Sequence, residues 1–169
     1  MTTYHLWLKP SGKAYDILVH TITALSREYH GPFFGPHITL LGNLPGTEEE
    51  ISLRSSQLGT SLQPFDIQLT APAYQDQYFQ CLFLKAQETP ALINAHEVAC
   101  SRLLKAHHPY MPHLSLLYGH YPIELKKKII AALPQNLLLS FTVDTFDLIQ
   151  AKSENPKDWC TLLSFPFGQ

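Results

Sequence analysis

The 169-residue chain carries 12 Lys and Arg against 14 Asp and Glu, a formal charge of −2, with 45% hydrophobic and 15% charged residues. That apolar content builds a core for one domain, and the charge balance excludes the strongly basic surface that a long nucleic acid requires. Met1 to Lys13 has no basic segment ahead of a long apolar run, and the uncharged run from Ile129 to Val143 is too short and too interrupted to span a bilayer, so a cytoplasmic protein off the membrane is expected.

Thr3 to Leu8 reads as a strand ended by Lys9-Pro10. Tyr15, Leu18, Ile22, Leu25 and Tyr29 then fall at helical spacing, which predicts an amphipathic helix over 13–29 stopped by Gly31-Pro32. His37 to Leu41 is a β-like run closed by Gly42-Asn43. Thr47 and Glu50 form a capping box that starts a helix to about residue 60. Phe65–Ala71 and Tyr78–Ala86 read as paired strands around a polar turn at 75–77.

Thr89-Pro90 opens a further helix, Ala91 to Ala106, and His108 to Pro112 is a rigid loop. His113 to Tyr118 is a strand, Pro122 to Leu133 a helix whose Lys126, Lys127 and Lys128 read as a solvated face. Leu137–Gln150 and Trp159–Phe165 close the chain as strands. The order is roughly a half repeated once, a single domain over 1–169.

One phrase occurs twice. Residues 36–42 read PHITLLG, and residues 112–119 read PHLSLLYG. A strand turns alternate side chains to opposite faces. His37 and Thr39 therefore share one face, His113 and Ser115 another, while Ile38, Leu40, Leu114 and Leu116 face the core. Brought together, the two strands offer two imidazoles and two hydroxyls.

Imidazole titrates near neutral pH, so one histidine can act as base while the other acts as acid. Hydroxyls bind the oxygens of a phosphodiester as its charge develops. That set suits phosphodiester attack without a metal or any other cofactor. The remaining histidines, His5, His20, His30, His96, His107, His108 and His120, read mostly as structural. HHPYMPH (107–113) carries three histidines, but no ligand spacing typical of zinc accompanies it. Cys81, Cys100 and Cys160 form no CxxC pair and read as free thiols.

His37-Ile38-Thr39-Leu40 and His113-Leu114-Ser115-Leu116 resemble the paired motifs of the 2H phosphoesterase superfamily. Tyr4-His5-Leu6-Trp7, Phe79-Gln80-Cys81 and Met111 to Tyr118 are similar to its plant and yeast cyclic phosphodiesterases. The resemblance implies an α+β, bilobal, LigT-like fold: two antiparallel sheets around a central cleft, helices outside, related by a pseudo-two-fold. It implies hydrolysis of 2′,3′-cyclic nucleotides to 2′-phosphates, and of ADP-ribose 1″,2″-cyclic phosphate to ADP-ribose 1″-phosphate.

It further implies that Tyr118 contacts phosphate, that Trp7 stacks on the nucleobase, and that Tyr78 or Phe79 supplies the opposing wall. Strict alternation would turn Tyr118 away from His113 unless a bulge or the strand end intervenes. His113 is expected as the base and His37 as the acid, although symmetry does not fix which is which. The expected partner is a small nucleotide substrate taken up by a monomer. Two other readings stay open: an RNA-end 2′,5′-phosphodiesterase or 2′-5′ ligase of the same superfamily, and a non-catalytic ribonucleotide or ADP-ribose binding module.

Overall fold

The computed structural model describes residues 2–168; Met1 and Gln169, the ends of the expected 1–169 domain, lie outside the described residues. The elements run β1 (Thr3–Leu8), α1 (Gly12–Glu28), β2 (Ile38–Leu44), α2 (Glu48–Ser61), β3 (Phe65–Ala73), β4 (Leu82–Ala86), α3 (Pro90–Arg102), β5 (His113–Leu117), α4 (Ile123–Ala132), β6 (Ser140–Val143), β7 (Thr145–Ala151) and β8 (Trp159–Pro166). The α+β class and the antiparallel pairing are as expected. The two sheets, however, are halves of one eight-stranded sheet in the order β6-β3-β4-β5-β2-β1-β7-β8. The halves meet where β2 and β5 pair through Ile38 and Leu114.

Alternation produces this layout. Ile38, Leu40, Leu114 and Leu116 are fully buried on one face of the central strands and join one core with Leu18, Ile22 and Leu92 from the helices. α1, which follows β1, packs on β5; α3, which follows β4, packs on β2. Each helix thus covers the motif strand of the other half. The predicted helical stripe of α1 buries Leu18, Ile22 and Leu25, while Tyr15 at its start is exposed. The capping box of α2 is formed, with the Thr47 hydroxyl accepting from the Glu50 amide.

Four boundaries differ from the sequence reading. Tyr78–Gln80 is a single 3₁₀ turn, not strand, because its aromatic rings cluster with one another and with Tyr118. The expected strand 137–150 divides at Asp144: Phe141 and Val143 are buried before it, Phe146 and Leu148 after it. That shift in phase sends β6 to β3 and β7 to β1, at opposite ends of the sheet. α3 stops at Arg102, and Leu104 adopts a left-handed φ of 53°. β2 continues through Gly42 and Asn43 to Leu44; a Cβ on Gly42 would stand 3.1 Å from the His5 ring.

Lys126 corrects a fifth reading. It is 1% exposed, not on a solvated face, while Lys127 beside it is exposed. Its ammonium donates to the Gln75 carbonyl at 2.8 Å and lies 3.8 Å from the exposed Asp76 carboxylate. A lysine on α4 therefore anchors the loop between β3 and β4. Lys126→Met keeps the packing volume but leaves the half-buried carbonyl of Gln75 without its donor. We expect a loss of about 1–3 kcal/mol in urea unfolding, with Lys127→Met nearly neutral as the comparison.

Candidate active site

The two motifs build matching local geometry. His37 Nδ1 donates to the carbonyl of Gly35 at 2.8 Å, and His113 Nδ1 donates to the carbonyl of Met111 at 2.9 Å. A carbonyl only accepts, so Nδ1 carries the proton in both rings and each Nε2 keeps its lone pair. In each case a proline, Pro36 or Pro112, stands between the histidine and the carbonyl it binds. The fixed φ of proline holds that short turn. The repeated Pro-His was visible in the sequence; its role in setting the tautomer was not read there.

His37, Thr39, His113, Ser115 and Tyr118 all line one cleft of about 970 Å³. The Ser115 hydroxyl donates to the Phe79 carbonyl at 3.0 Å. Tyr118 reaches the cleft by way of a bulge. Leu82 pairs with Leu117 but the next residue, Phe83, pairs with Ser115, which leaves Leu116 as the extra residue in β5. The inserted residue reverses the alternation, so Tyr118 joins the side of His113 and Ser115. There it stacks on Phe34 with ring centroids 3.8 Å apart.

The aromatic residues divide differently from the reading based on resemblance. Trp7 lies flat on His37, with centroids 3.5 Å apart and planes 8° from parallel. One face of Trp7 is thus covered by an imidazole, and Trp7 itself lines the cleft. Tyr78 is correctly near the site but does not line the cleft; its ring backs Phe79 and Tyr118. Phe79 does line it. So does Trp159, which the sequence reading missed, at 6.0 Å from Phe79 and edge-on to Trp7 at 5.6 Å. Its only signal was a tryptophan opening the last strand.

Burial decides the charge state. His37 is 6% exposed, and desolvation lowers its pKa to about 3 against the favourable hydrogen bond to Gly35; the neighbouring His113 lowers it further. Desolvation lowers His113 as well. His5, at the polar end of the cleft, is brought to about 4 by burial and by Lys105. His37, His113 and His5 are therefore neutral imidazoles at neutral pH. An anionic phosphodiester between them favours the protonated form of one.

A family model described as the 2′-5′ RNA ligase superfamily matches residues 12–155. A cyclic phosphodiesterase of Arabidopsis thaliana is 31% identical over 129 residues, which are 73% of this chain and 69% of that protein. E. coli LigT complexed with 3′-AMP superposes with a TM-score of 0.68 at 16% identity, over 99% of both chains. A Thermus thermophilus protein superposes with a TM-score of 0.67 at 20% identity, over 98% of both. These structures share the fold.

Two measurements test the site in the free protein. His37 binds its proton near pH 6.5 when unfolded and near 3 when folded, so between those values the unfolded chain holds more protons. Its contribution to stability is complete above pH 6.5 and is lost as pH falls towards 3; His5 acts in the same direction. Urea midpoints will drop between pH 7 and 4.5, and His37→Asn will flatten that slope. Separately, Trp7→Leu will admit water and raise the pKa of His37 in an NMR titration of its ring protons. A residue that served only as a wall for the nucleobase would leave that titration unmoved.

Proposed function

The chain belongs to the 2′-5′ RNA ligase superfamily, the 2H phosphoesterases, and on that premise we propose that it hydrolyses small cyclic phosphodiesters by a metal-independent acid–base mechanism. The observation that carries the proposal is the pair of imidazoles held in one cleft, each with Nδ1 tethered to a backbone carbonyl and Nε2 left for proton transfer. The substrates are 2′,3′-cyclic nucleotides, opened to 2′-phosphates, and ADP-ribose 1″,2″-cyclic phosphate, opened to ADP-ribose 1″-phosphate. The relative from Arabidopsis, a cyclic phosphodiesterase by name, supports this class.

Exposure orders the two roles. His113 is the more accessible ring; it takes the proton from the attacking water as that oxygen bonds to phosphorus. His37, buried under Trp7, gives its proton to the departing sugar oxygen as the P–O bond breaks. Thr39 and Ser115 hold the non-bridging oxygens, which requires the Ser115 hydroxyl to turn from the Phe79 carbonyl to the phosphate. Tyr118 supplies a further donor beside them. Phe79, one of the two rings expected opposite Trp7, and Trp159 line the cleft with Trp7 and are the rings offered to the nucleobase.

The cation count argues for a small substrate. Lys105 and Lys152 line the cleft, but Glu154 stands with them, and Lys105 is already held by the carbonyls of Gly42 and Asn43. Among the residues lining the cleft, these two lysines form no continuous basic track for a long RNA.

The test is phosphorus NMR of 2′,3′-cyclic AMP with the purified protein in EDTA. The cyclic signal will disappear and a 2′-phosphomonoester will accumulate. His37→Ala and His113→Ala will each lower kcat by about 10²–10⁴-fold, and Thr39→Ala or Ser115→Ala by roughly 10–10³-fold. A 3′-phosphate product would overturn the assigned leaving group. Faster turnover of 2′,5′-linked oligonucleotides would move the assignment to RNA ends. Tight binding with no turnover of either cyclic substrate would favour the binding module.

A further inference from the structure

At one end of the same cleft, where His96 and His108 join its lining, three side chains of the types that bind soft cations converge. His96 and Cys100 lie one turn apart on α3, and His108 comes from the loop after it; their ligand atoms all lie within 4.8 Å of one another. We propose that His96, Cys100 and His108 form a Zn²⁺ site, separate from the reacting histidines, that fixes the segment between α3 and β5.

The distances fit the metal. His96 Nε2 stands 3.5 Å from Cys100 Sγ. The edge between a nitrogen and a sulfur ligand of tetrahedral zinc is about 3.6 Å, from bond lengths of about 2.0–2.1 and 2.3 Å. The tautomer fits too. His96 Nδ1 donates to the Leu40 carbonyl at 2.8 Å, which leaves Nε2 unprotonated and aimed at the sulfur. A backbone carbonyl on the far nitrogen is the usual outer partner of a histidine bound to metal. The ring cannot swing away, because it lies flat on Tyr110 with centroids 3.9 Å apart and planes 4° from parallel.

Cys100 is fully buried, His96 is 3% exposed, and His108 is exposed, so two ligands are built into the core and the third closes from the surface. The ring of His108 already meets that of His96 edge-on at 5.1 Å. A thiolate with two imidazoles suits zinc better than the hard cations Mg²⁺ or Ca²⁺. Binding releases the Cys100 thiol proton to solvent, and a water completes the fourth position. The set is not the HHPYMPH trio set aside in the sequence, and it uses His96 and His108, read there as structural: His113 is tied to the Met111 carbonyl in the cleft, and His108 turns to α3.

The site connects to both motifs through the backbone. His96 holds Leu40 of the first motif, and Tyr110 beneath it donates to the carbonyl of Thr39 at 3.1 Å. Zinc would therefore order residues 103–112, the segment leading into His113.

Cobalt is the probe. The full chain, reduced and stripped of metal, is titrated with Co²⁺ and then with Zn²⁺. One equivalent will give a near-ultraviolet thiolate-to-cobalt band that zinc abolishes, and zinc will raise the thermal midpoint. Cys100→Ser will remove the band. His108→Ala, a surface change that leaves the core intact, will weaken cobalt binding by more than about tenfold, since losing a ligand costs at least as much as losing an outer partner. His113→Ala and Cys160→Ala will retain the band. No thiolate band in the wild-type chain, its survival in Cys100→Ser, or its loss in His113→Ala would each overturn the proposal. None of these readouts depends on phosphodiester turnover.

Discussion

Everything at the centre of this molecule follows from the contact of two short strands whose side chains must alternate. Where Ile38 and Leu114 pair, one face of β2 and β5 is sealed into the core, and the other is obliged to be polar. His37, Thr39, His113 and Ser115 occupy that second face. The core thus fixes the directions of four polar groups of the cleft before any of them makes a polar contact. A slip of one residue in either strand would bury an imidazole and expose a leucine, so the hydrophobic core also guards the register.

The price of that arrangement is charge, since a site sealed well enough to position two imidazoles is also dry enough to keep them neutral. Trp7 contributes most visibly, covering one face of His37. The substrate resolves the conflict by bringing its own negative charge. In the mechanism proposed above, a phosphodiester does more than occupy the cleft; it creates the protonation state that its own cleavage requires. The hydroxyls suit such a site because they bind oxyanions and add no charge that would compete with the substrate.

The convergence of His37, Thr39, His113 and Ser115 on one cleft was legible because each residue is specified by a pattern carried within one strand: a doubled phrase, a proline before it and a period of two. The helices were legible for the same reason, through their apolar stripes and the cap at Thr47. The rest depends on contacts between distant segments. Lys126 looks like its exposed neighbour Lys127, and only the fold shows that it meets Gln75. Trp159 lies 152 residues from Trp7, so no local pattern could place the two rings together. The exception is the division of β6 from β7, which is written in the sequence: the apolar phase changes from Phe141 and Val143 to Phe146 and Leu148.

The crossing of the helices bears on how such a protein comes into being. α1 covers β5 and α3 covers β2, while β3 lies in the half of the sheet that holds β4, and β7 and β8 lie in the half that holds β1. Neither half of the chain contains all the partners that bury its own apolar surface. Until the second half is made, the first half has its sheet unfinished and its central edge unpaired, the kind of exposed edge that favours misassembly. Folding is then a single event governed by contacts remote in sequence, which favours slow assembly and a cooperative final state. The same exchange is what two short chains would make in a symmetric pair. Joining them in one polypeptide keeps that geometry and frees it from protein concentration, so that the cleft is assembled as completely in a dilute cell extract as in a crowded one.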